Sequence, residues 1–165
     1  MNFGGVKKLA SCSLDCTICL WGHEGEEAWS VDNRMGQFLG NKNAYFNIVT
    51  DPSNRYLVAV NYIGSALIWE YNENNAKFNL RPSFNGHFNE VRDIDWNHSG
   101  DFLVSVSMDQ TTRIICHNKI TNNYHEISRA QVHGYDINAV ATVKVDENLI
   151  DVIACGADEK VIRIV

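Results

Sequence analysis

Four segments of the chain share one pattern of hydrophobic and polar positions: an apolar strand, a polar turn and a second apolar strand. The segments span residues 9–21, 57–69, 103–115 and 153–165, so their ends lie 48, 46 and 50 residues apart. Strand–turn–strand units repeated at a period in this range are typical of propeller blades. The pattern therefore predicts an all-β fold built from repeated antiparallel blades.

About four strands are predicted in each repeat, labelled a to d in chain order. The second repeat has strands at 44–50, 56–61, 66–71 and 77–83, and the third at 91–96, 102–107, 112–117 and 124–128. The first has strands b, c and d at 7–11, 17–21 and 28–31, and the fourth has strands a, b and c at 137–143, 150–155 and 161–165. Polar, asparagine-rich connectors are expected at 72–76 and 119–123.

These strands predict two complete blades, at 36–84 and 85–131, between two partial blades at 1–35 and 132–165. Propellers close with about 4–8 blades, so we expect one incomplete propeller domain, an arc of a larger ring. Unpaired strand edges are sites of association. Two copies of the isolated chain are therefore predicted to pair edge to edge as a homodimer.

Composition narrows the function classes. The formal net charge is -6, which disfavours a surface that wraps nucleic-acid phosphates. No run of apolar residues reaches transmembrane length, and the N-terminus lacks a signal-peptide pattern. Five cysteines without disulfide-framework spacing predict a reducing compartment, the cytoplasm first and the nucleus second.

The third repeat resembles the WD-repeat family, through Gly86-His87, Asp95-Trp96, Ser99-Gly100, Ser105 and Asp109. The resemblance implies a buried hydrogen-bonded set of a His before strand a, a Ser on strand b, an Asp in the following turn and a Trp on strand c. Buried polar side chains must be paired, because an unpaired one is costly. The set is therefore expected to hold the strands of a blade together.

The chain keeps this set unevenly. We expect structural roles for its members that are present: Ser11, Asp15, Trp21, Trp69, His87, Ser105 and Asp109. The second repeat has Ala59 and Ile63 at the Ser and Asp positions, a paired loss that can be nearly neutral. The third has Ile115 in place of Trp, and the fourth has Cys155, Glu159 and Val165, with its dipeptide inverted as His133-Gly134.

The order of the motifs is more specific than any one of them. Segments 86–96, 109–113, 125–129, 133–136 and 156–163, taken in order, resemble the WD-repeat subunits of the Elongator complex. The resemblance implies a segment of a first propeller in a non-catalytic scaffold, which holds the largest and the catalytic subunits together. Elongator modifies the wobble uridine of tRNA, so tRNA would be contacted only indirectly. No catalytic residue, cofactor or metal is implied for this subunit.

Partner contacts are expected on loops at blade ends, because strands are committed to their ladders. The candidate interaction residues are Arg113, Arg129, His133, Tyr135, Asp136, Asp158 and Lys160. Tyrosine and arginine are the types enriched at interface hot spots. Arg113 and Arg163 share a repeat position, so a structural role for both is an equally strong interpretation.

The sequence leaves one alternative to the scaffold open and disfavours an enzyme. The alternative is a propeller that contacts RNA directly or scaffolds another assembly. An enzyme is disfavoured because no nucleophile, base and metal set converges. His125-Glu126 is followed by Arg129 rather than the second His of a zinc-protease motif. Cys16 and Cys19, with Cys12 nearby, have zinc-like spacing without a second ligand pair, so packing roles are favoured.

Overall fold

The computed structural model describes residues 1–23, 28–36, 44–118, 120–145 and 151–165. These residues form sixteen β-strands. The strands are β1 Asn2–Phe3, β2 Val6–Lys7, β3 Leu9–Cys12, β4 Ile18–Gly22, β5 Ser30–Met35, β6 Tyr45–Thr50, β7 Tyr56–Asn61, β8 Ser65–Asn72, β9 Lys77–Asn85, β10 Val91–Trp96, β11 Phe102–Ser107, β12 Thr112–Asn118, β13 Asn123–Ala130, β14 Ile137–Lys144, β15 Asp151–Ala157 and β16 Ile162–Ile164. Across the described residues, no helix is long and apolar enough to cross a bilayer.

The strands form antiparallel sheets in chain order, which we number as blades. Blade 1 is β3-β4-β5, blade 2 is β6-β7-β8-β9, blade 3 is β10-β11-β12-β13 and blade 4 is β14-β15-β16. A separate two-stranded sheet joins β1 and β2. The predicted all-β fold, with two four-stranded and two three-stranded blades, is confirmed. The predicted domain boundaries stay predictions, and residues 37–43 beside the first of them lie outside the described residues.

The blades pack face to face through their first and second strands. In β7 and in β11 every residue after the first is buried. Successive side chains of β7 point to opposite faces of the sheet. Leu57 packs in a core with blade 1, whereas Val58 packs in a core with blade 3. A third core joins blades 3 and 4. A strand covered on both faces has a continuous apolar sequence, which explains the runs seen in the repeats.

Carboxylates on β10 also connect the blades. Asp93 Oδ2 accepts a hydrogen bond from Val140 N of blade 4 at 2.8 Å, and its Oδ1 accepts one from Asn47 Nδ2 of blade 2. Asp95 Oδ2 accepts from Thr142 N at 2.8 Å and from Thr142 Oγ1 at 3.0 Å. The first strands of three successive blades are therefore cross-linked by charge-assisted hydrogen bonds.

The N-terminal hairpin differs from the prediction. A single strand was expected at 7–11, but Val6–Lys7 pairs with Asn2–Phe3, and β3 begins only at Leu9. Gly4 and Gly5 have φ of 58° and 79°, the left-handed values that a two-residue hairpin turn requires. Phe3 is buried, with its ring 5.4 Å from Tyr71 and 4.9 Å from Phe78 of blade 2. This packing, which residues 1–8 alone do not indicate, holds the hairpin in place.

Other strand bounds shift by a few residues. The strand predicted at 28–31 is β5, Ser30–Met35, because it follows β4 down to the Ile18–Met35 pair. The strand predicted at 150–155 begins at Asp151 and continues to Ala157, with residue 150 outside the described residues. The connector predicted at 119–123 contains residue 119, which also lies outside them, and its last residue starts β13.

Candidate interaction surface

A buried polar network lies in blade 3. His87, in the segment before β10, has Nδ1 2.9 Å from Asp109 Oδ2 and Nε2 2.9 Å from Ser105 Oγ. All three residues are buried. The network therefore ties the entry of β10 to β11 and to the turn that follows it.

The turn at 108–111 holds the Asp109 side chain in position through local hydrogen bonds. Asp109 Oδ1 accepts hydrogen bonds from Thr111 N at 2.9 Å and from Thr111 Oγ1 at 2.6 Å. Gln110 has a left-handed φ of 67°. Arg113, on β12, places Nη2 3.5 Å from Asp109 Oδ2 and Nη1 2.7 Å from Glu126 Oε2. The network thus continues from the turn to the outer strand β13 with alternating charge.

The environment shifts the pKa values of the network. Burial lowers the pKa of His87, and the attraction of Asp109 only partly offsets this effect. Burial raises the pKa of Asp109, but hydrogen bonds from Thr111 and His87 outweigh burial and leave it below its usual value. Hydrogen bonds from Arg129 and Arg113 lower the pKa of Glu126. At neutral pH a neutral imidazole therefore contacts the ionised Asp109 carboxylate, which also pairs with Arg113.

Lowering the pH from 7.5 to 5.5 is expected to destabilise the chain through His87. The pKa of His87 is lowered on folding, so below an unfolded pKa of about 6.5 the unfolded state binds more protons than the folded state. The contribution of His87 to the free energy of unfolding is therefore fully present above this pH. It decreases below this pH, by up to about 1 kcal/mol at pH 5.5. Urea unfolding at the two pH values measures this loss, which His87→Gln should remove.

The control is His125→Gln, since His125 is exposed on β13. This variant should keep the pH dependence of the parent chain. A pH dependence that persists unchanged in His87→Gln would show that another group carries it.

Blade 4 contains a counterpart built on His133 and Glu159, although the sequence placed His133 among the candidate surface residues. His133 lies four residues before Ile137, the first residue of β14, as His87 lies four residues before Val91. His133 Nδ1 hydrogen-bonds Glu159 Oε1, and its Nε2 is 3.2 Å from the carbonyl oxygen of Cys155. The spacing from strand a indicates this structural role, whereas the inverted His133-Gly134 dipeptide does not.

Two of the candidate interaction residues are not at the surface. Arg113 and His133 are only 2% and 1% exposed, so their assignment as surface residues was wrong. Each is the buried partner of an acid: Arg113 pairs with Asp109 and Glu126, and His133 with Glu159. Both are therefore structural residues of their blades.

The remaining candidates are accessible. Tyr135 is 55% exposed, and Arg129, Asp158 and Lys160 are exposed, whereas Asp136 is half-buried. Asp158 accepts a hydrogen bond from Asn138 Nδ2 at 2.7 Å. Arg129 Nε donates to Glu126 Oε1 at 2.8 Å. The structure therefore leaves these five side chains available at least in part, with Arg129 already paired.

The turns between strands b and c lie at one end of the blades, beside the segments that enter strand a. Backbone hydrogen bonds join them: Tyr62 N to Ala44 O at 3.1 Å, Met108 N to Glu90 O at 3.0 Å and Asp158 N to Asp136 O at 3.0 Å. We call this end the turn face, formed by residues 13–17, 62–64, 86–90, 108–111, 131–136 and 158–161. Tyr135, Asp136, Asp158 and Lys160 all lie on it.

The turn face exposes large apolar side chains. Phe88 is 80% exposed, Leu14 65%, Tyr135 55%, Ile63 47% and Tyr62 41%. Only Tyr135 was singled out from the sequence. The available signal was the presence of apolar residues at turn positions, where polar residues are usual. Several such side chains on one face are typical of an interaction site.

The turn face also carries acidic residues. Asp15, Asp136 and Asp158 carry negative charge on the turn face, and Glu90 is paired with Arg92 at 3.1 Å. Lys160 is the exposed cation among the described turn-face residues. The face therefore combines exposed apolar side chains with an excess of acidic residues.

Blades 1 and 2 hold the other expected structural residues. Trp21 Nε1 donates to Ser11 Oγ at 2.9 Å, and Asp15 accepts from Thr17 N at 2.9 Å, as Asp109 does from Thr111. In blade 2, Trp69 is buried, with its ring 6.3 Å from that of Tyr45. Blade 2 thus replaces the polar set with apolar packing.

No group of three side chains suited to a metal comes together in the described part of the chain. Cys12, Cys16 and Cys19 are free thiols, and burial raises the pKa of Cys12. A raised thiol pKa disfavours the thiolate form that binds metals. Cys19 is buried and Cys12 and Cys16 are half-buried, which favours packing roles.

The sequence of this chain is similar to those of known WD-repeat proteins. The WD40 family model, WD domain, G-beta repeat, matches residues 4–22 and 78–115. Elongator complex protein 2 of Danio rerio is 35% identical over 95% of this chain and 19% of its own length. The Drosophila melanogaster protein is 32% identical over 94% of this chain and 20% of its length, and the Homo sapiens protein is 31% identical over 95% and 19%.

The chain spans about a fifth of the length of these curated relatives. The resemblance inferred from the order of the motifs is confirmed, since the similarity extends over nearly the whole chain. The chain thus contains matches to the WD40 repeat and is similar, along almost all of its length, to one stretch of Elongator complex protein 2.

Proposed function

We propose that the chain is a non-catalytic scaffold segment that binds protein subunits of an Elongator-type complex through its turn face. The observation that carries this proposal is the similarity to Elongator complex protein 2 over 95% of the chain. The exposed aromatics of the turn face supply the contact surface. Aromatic side chains are the residues that most often dominate interface energies.

The structure favours binding because the backbone that carries the main exposed side chain is held in place. The backbone N–H of Phe88 donates to Asp109 Oδ2 at 3.2 Å, so the buried network fixes the residue whose ring is 80% exposed. A fixed anchor loses less conformational entropy on binding than a mobile one. The buried network therefore supports the surface above it.

The partners we propose are the largest and the catalytic subunits of the complex. Through them the chain would support modification of tRNA wobble uridine, with tRNA contacted only indirectly, and it would carry no cofactor of its own. The formal charge of -6 supports protein rather than phosphate contacts. The proposed compartment is the cytoplasm, with the nucleus second, because the five cysteines in the chain are free.

Co-purification tests the proposal. The intact chain, carrying an affinity tag, is co-expressed with the largest and catalytic Elongator subunits. The unchanged chain should retain both, and the double variant Phe88→Ser, Tyr135→Ser should retain at least about tenfold less, as expected when hot-spot residues are lost. The matched control is Ile120→Ser, since Ile120 is 95% exposed in the turn between β12 and β13, away from the turn face.

Failure of the unchanged chain to retain either subunit would contradict the scaffold. Tight tRNA binding that persists at physiological salt would instead support the RNA-binding alternative. The homodimer through strand edges stays a prediction. Light scattering that finds only monomer at high concentration would argue against it.

A further inference from the structure

Blade 3 has isoleucine at position 115, where the two blades before it have tryptophan. Trp21 is opposite Leu9, Trp69 is opposite Leu57, and Ile115 is opposite Leu103 in the equivalent strand pair. The three side chains therefore occupy the same place in successive blades. Isoleucine is smaller than tryptophan and has no N–H to donate.

A cavity of about 280 Å³ lies beside Ile115, between blades 2 and 3. Its inner wall includes the buried residues His87, Ser105, Arg113 and Ile115. Its mouth includes the exposed residues Ser83, Asn85, His125 and Glu126, so the cavity opens to solvent between β9 and β13.

Two aromatic rings belong to the wall. Phe84 of β9 and Tyr124 of β13 line the cavity from opposite blades, with ring centroids 6.1 Å apart. Rings in this arrangement provide faces and edges for a third aromatic group. The walls therefore favour a flat aromatic occupant over an aliphatic one.

Ser105 offers the cavity a hydrogen-bond acceptor. The Asp109 carboxylate can only accept, so His87 carries its proton on Nδ1 and its Nε2 accepts from the Ser105 hydroxyl. Within the described ranges, no donor reaches the Ser105 oxygen. In blade 1 the equivalent oxygen, Ser11 Oγ, accepts from Trp21 Nε1 at 2.9 Å.

The charged groups of the wall are already paired. Arg113 Nη1 is 2.7 Å from Glu126 Oε2, and its Nη2 is 3.5 Å from Asp109 Oδ2. The guanidinium therefore has no surplus charge for an anionic ligand. Neutral hydrogen bonding and aromatic contact are what the cavity offers.

We propose that this cavity receives the indole of a tryptophan side chain from a protein partner, whose N–H donates to Ser105. The occupant would take the place that tryptophan holds in blades 1 and 2. The volume lies just below the range of about 300–1,000 Å³ typical of small-molecule sites, which suits a single side chain. This proposal deepens the proposed function, because it assigns a second contact with protein partners.

The test uses N-acetyl-L-tryptophan amide as the probe. Titration into the intact ¹⁵N-labelled chain, followed by NMR, should give a dissociation constant on the order of millimolar and shifts around Ser105 and Ile115. The benzothienylalanine analogue, which has sulfur in place of the indole N–H, should bind about fivefold more weakly, the loss typical of one hydrogen bond. Ser105→Ala should abolish that difference.

Filling the cavity should prevent binding. Ile115→Trp should eliminate the probe-induced shifts, whereas Ile115→Val, which leaves the cavity open, should keep them. Ala66→Leu, which fills the cavity from blade 2, replaces Ile115→Trp if that variant does not fold. Undiminished binding by both filled variants, equal affinity for both probes, or no binding by the parent chain would overturn the proposal.

The probe experiment contains no partner protein, so its failure is distinguishable from failure of the scaffold. If the chain retains Elongator subunits but does not bind the probe, the cavity proposal is contradicted and the proposed role of the turn face is not. If the chain binds the probe but retains no Elongator subunit, the scaffold proposal is contradicted and the cavity proposal is not.

Discussion

Asp109→Ala is expected to lower the free energy of unfolding by about 3–5 kcal/mol, the cost of removing one partner from a buried charged set. The substitution removes the carboxylate acceptor of His87 Nδ1, leaving it only Thr111 Oγ1 at 3.2 Å. It also reduces the partners of the buried Arg113 guanidinium to Glu126 and Thr111. It also removes the acceptor of the two Thr111 hydrogen bonds that shape the turn. Urea unfolding followed by tryptophan fluorescence measures the change.

Asp15→Ala is the matched control. Asp15 occupies the same position in blade 1 and accepts the same two hydrogen bonds from Thr17, but it is exposed. Its loss should cost much less, because water replaces the missing acceptor. Equal effects at the two positions would show that local turn bonds, rather than the buried network, account for the stability.

Asp93→Ala is expected to cost about 2–4 kcal/mol and to loosen the contact between blades 3 and 4. Its carboxylate accepts hydrogen bonds from Val140 N and from Asn47 Nδ2, which belong to the two neighbouring blades. Both donors lose a charged acceptor at once. Hydrogen exchange should show faster exchange at the amide of Val140, together with a lower urea midpoint.

Asp101→Ala serves as the control for Asp93→Ala. Asp101 is exposed in the turn between β10 and β11, and its carboxylate accepts from Ser99 Oγ within the same turn. Its loss should leave the exchange rate at Val140 unchanged. Unchanged exchange at Val140 in Asp93→Ala as well would show that side-chain packing alone holds the two blades together.

Strands buried on both faces were predictable from local pattern. The predicted strands at 56–61 and 102–107 have the bounds of β7 and β11. Each is a short run of β-formers bounded by turn residues, so neighbouring positions contain the required information. The N-terminal hairpin was not predictable in this way, because its place depends on Phe3 packing against Tyr71 and Phe78.

The candidate site was predicted only in part. Tyr135 and Lys160 lie on the turn face as expected, since both belong to loops at blade ends. Arg113 and His133 were misplaced, because their exposure depends on acids brought close by strand pairing. The polarity of a side chain does not reveal a buried partner that lies 13 or 26 residues away in the chain.

The sequence by itself determined the repeat, the strand order within each blade and the residue types of the polar set. These follow from alternation and turn chemistry within about ten residues, the range over which hairpins form. Only the tertiary structure decided which polar residues are buried, that Asp93 joins three blades, and that a cavity remains at Ile115 beside Ser105. Those features depend on packing between blades, where the contacting side chains come from different repeats.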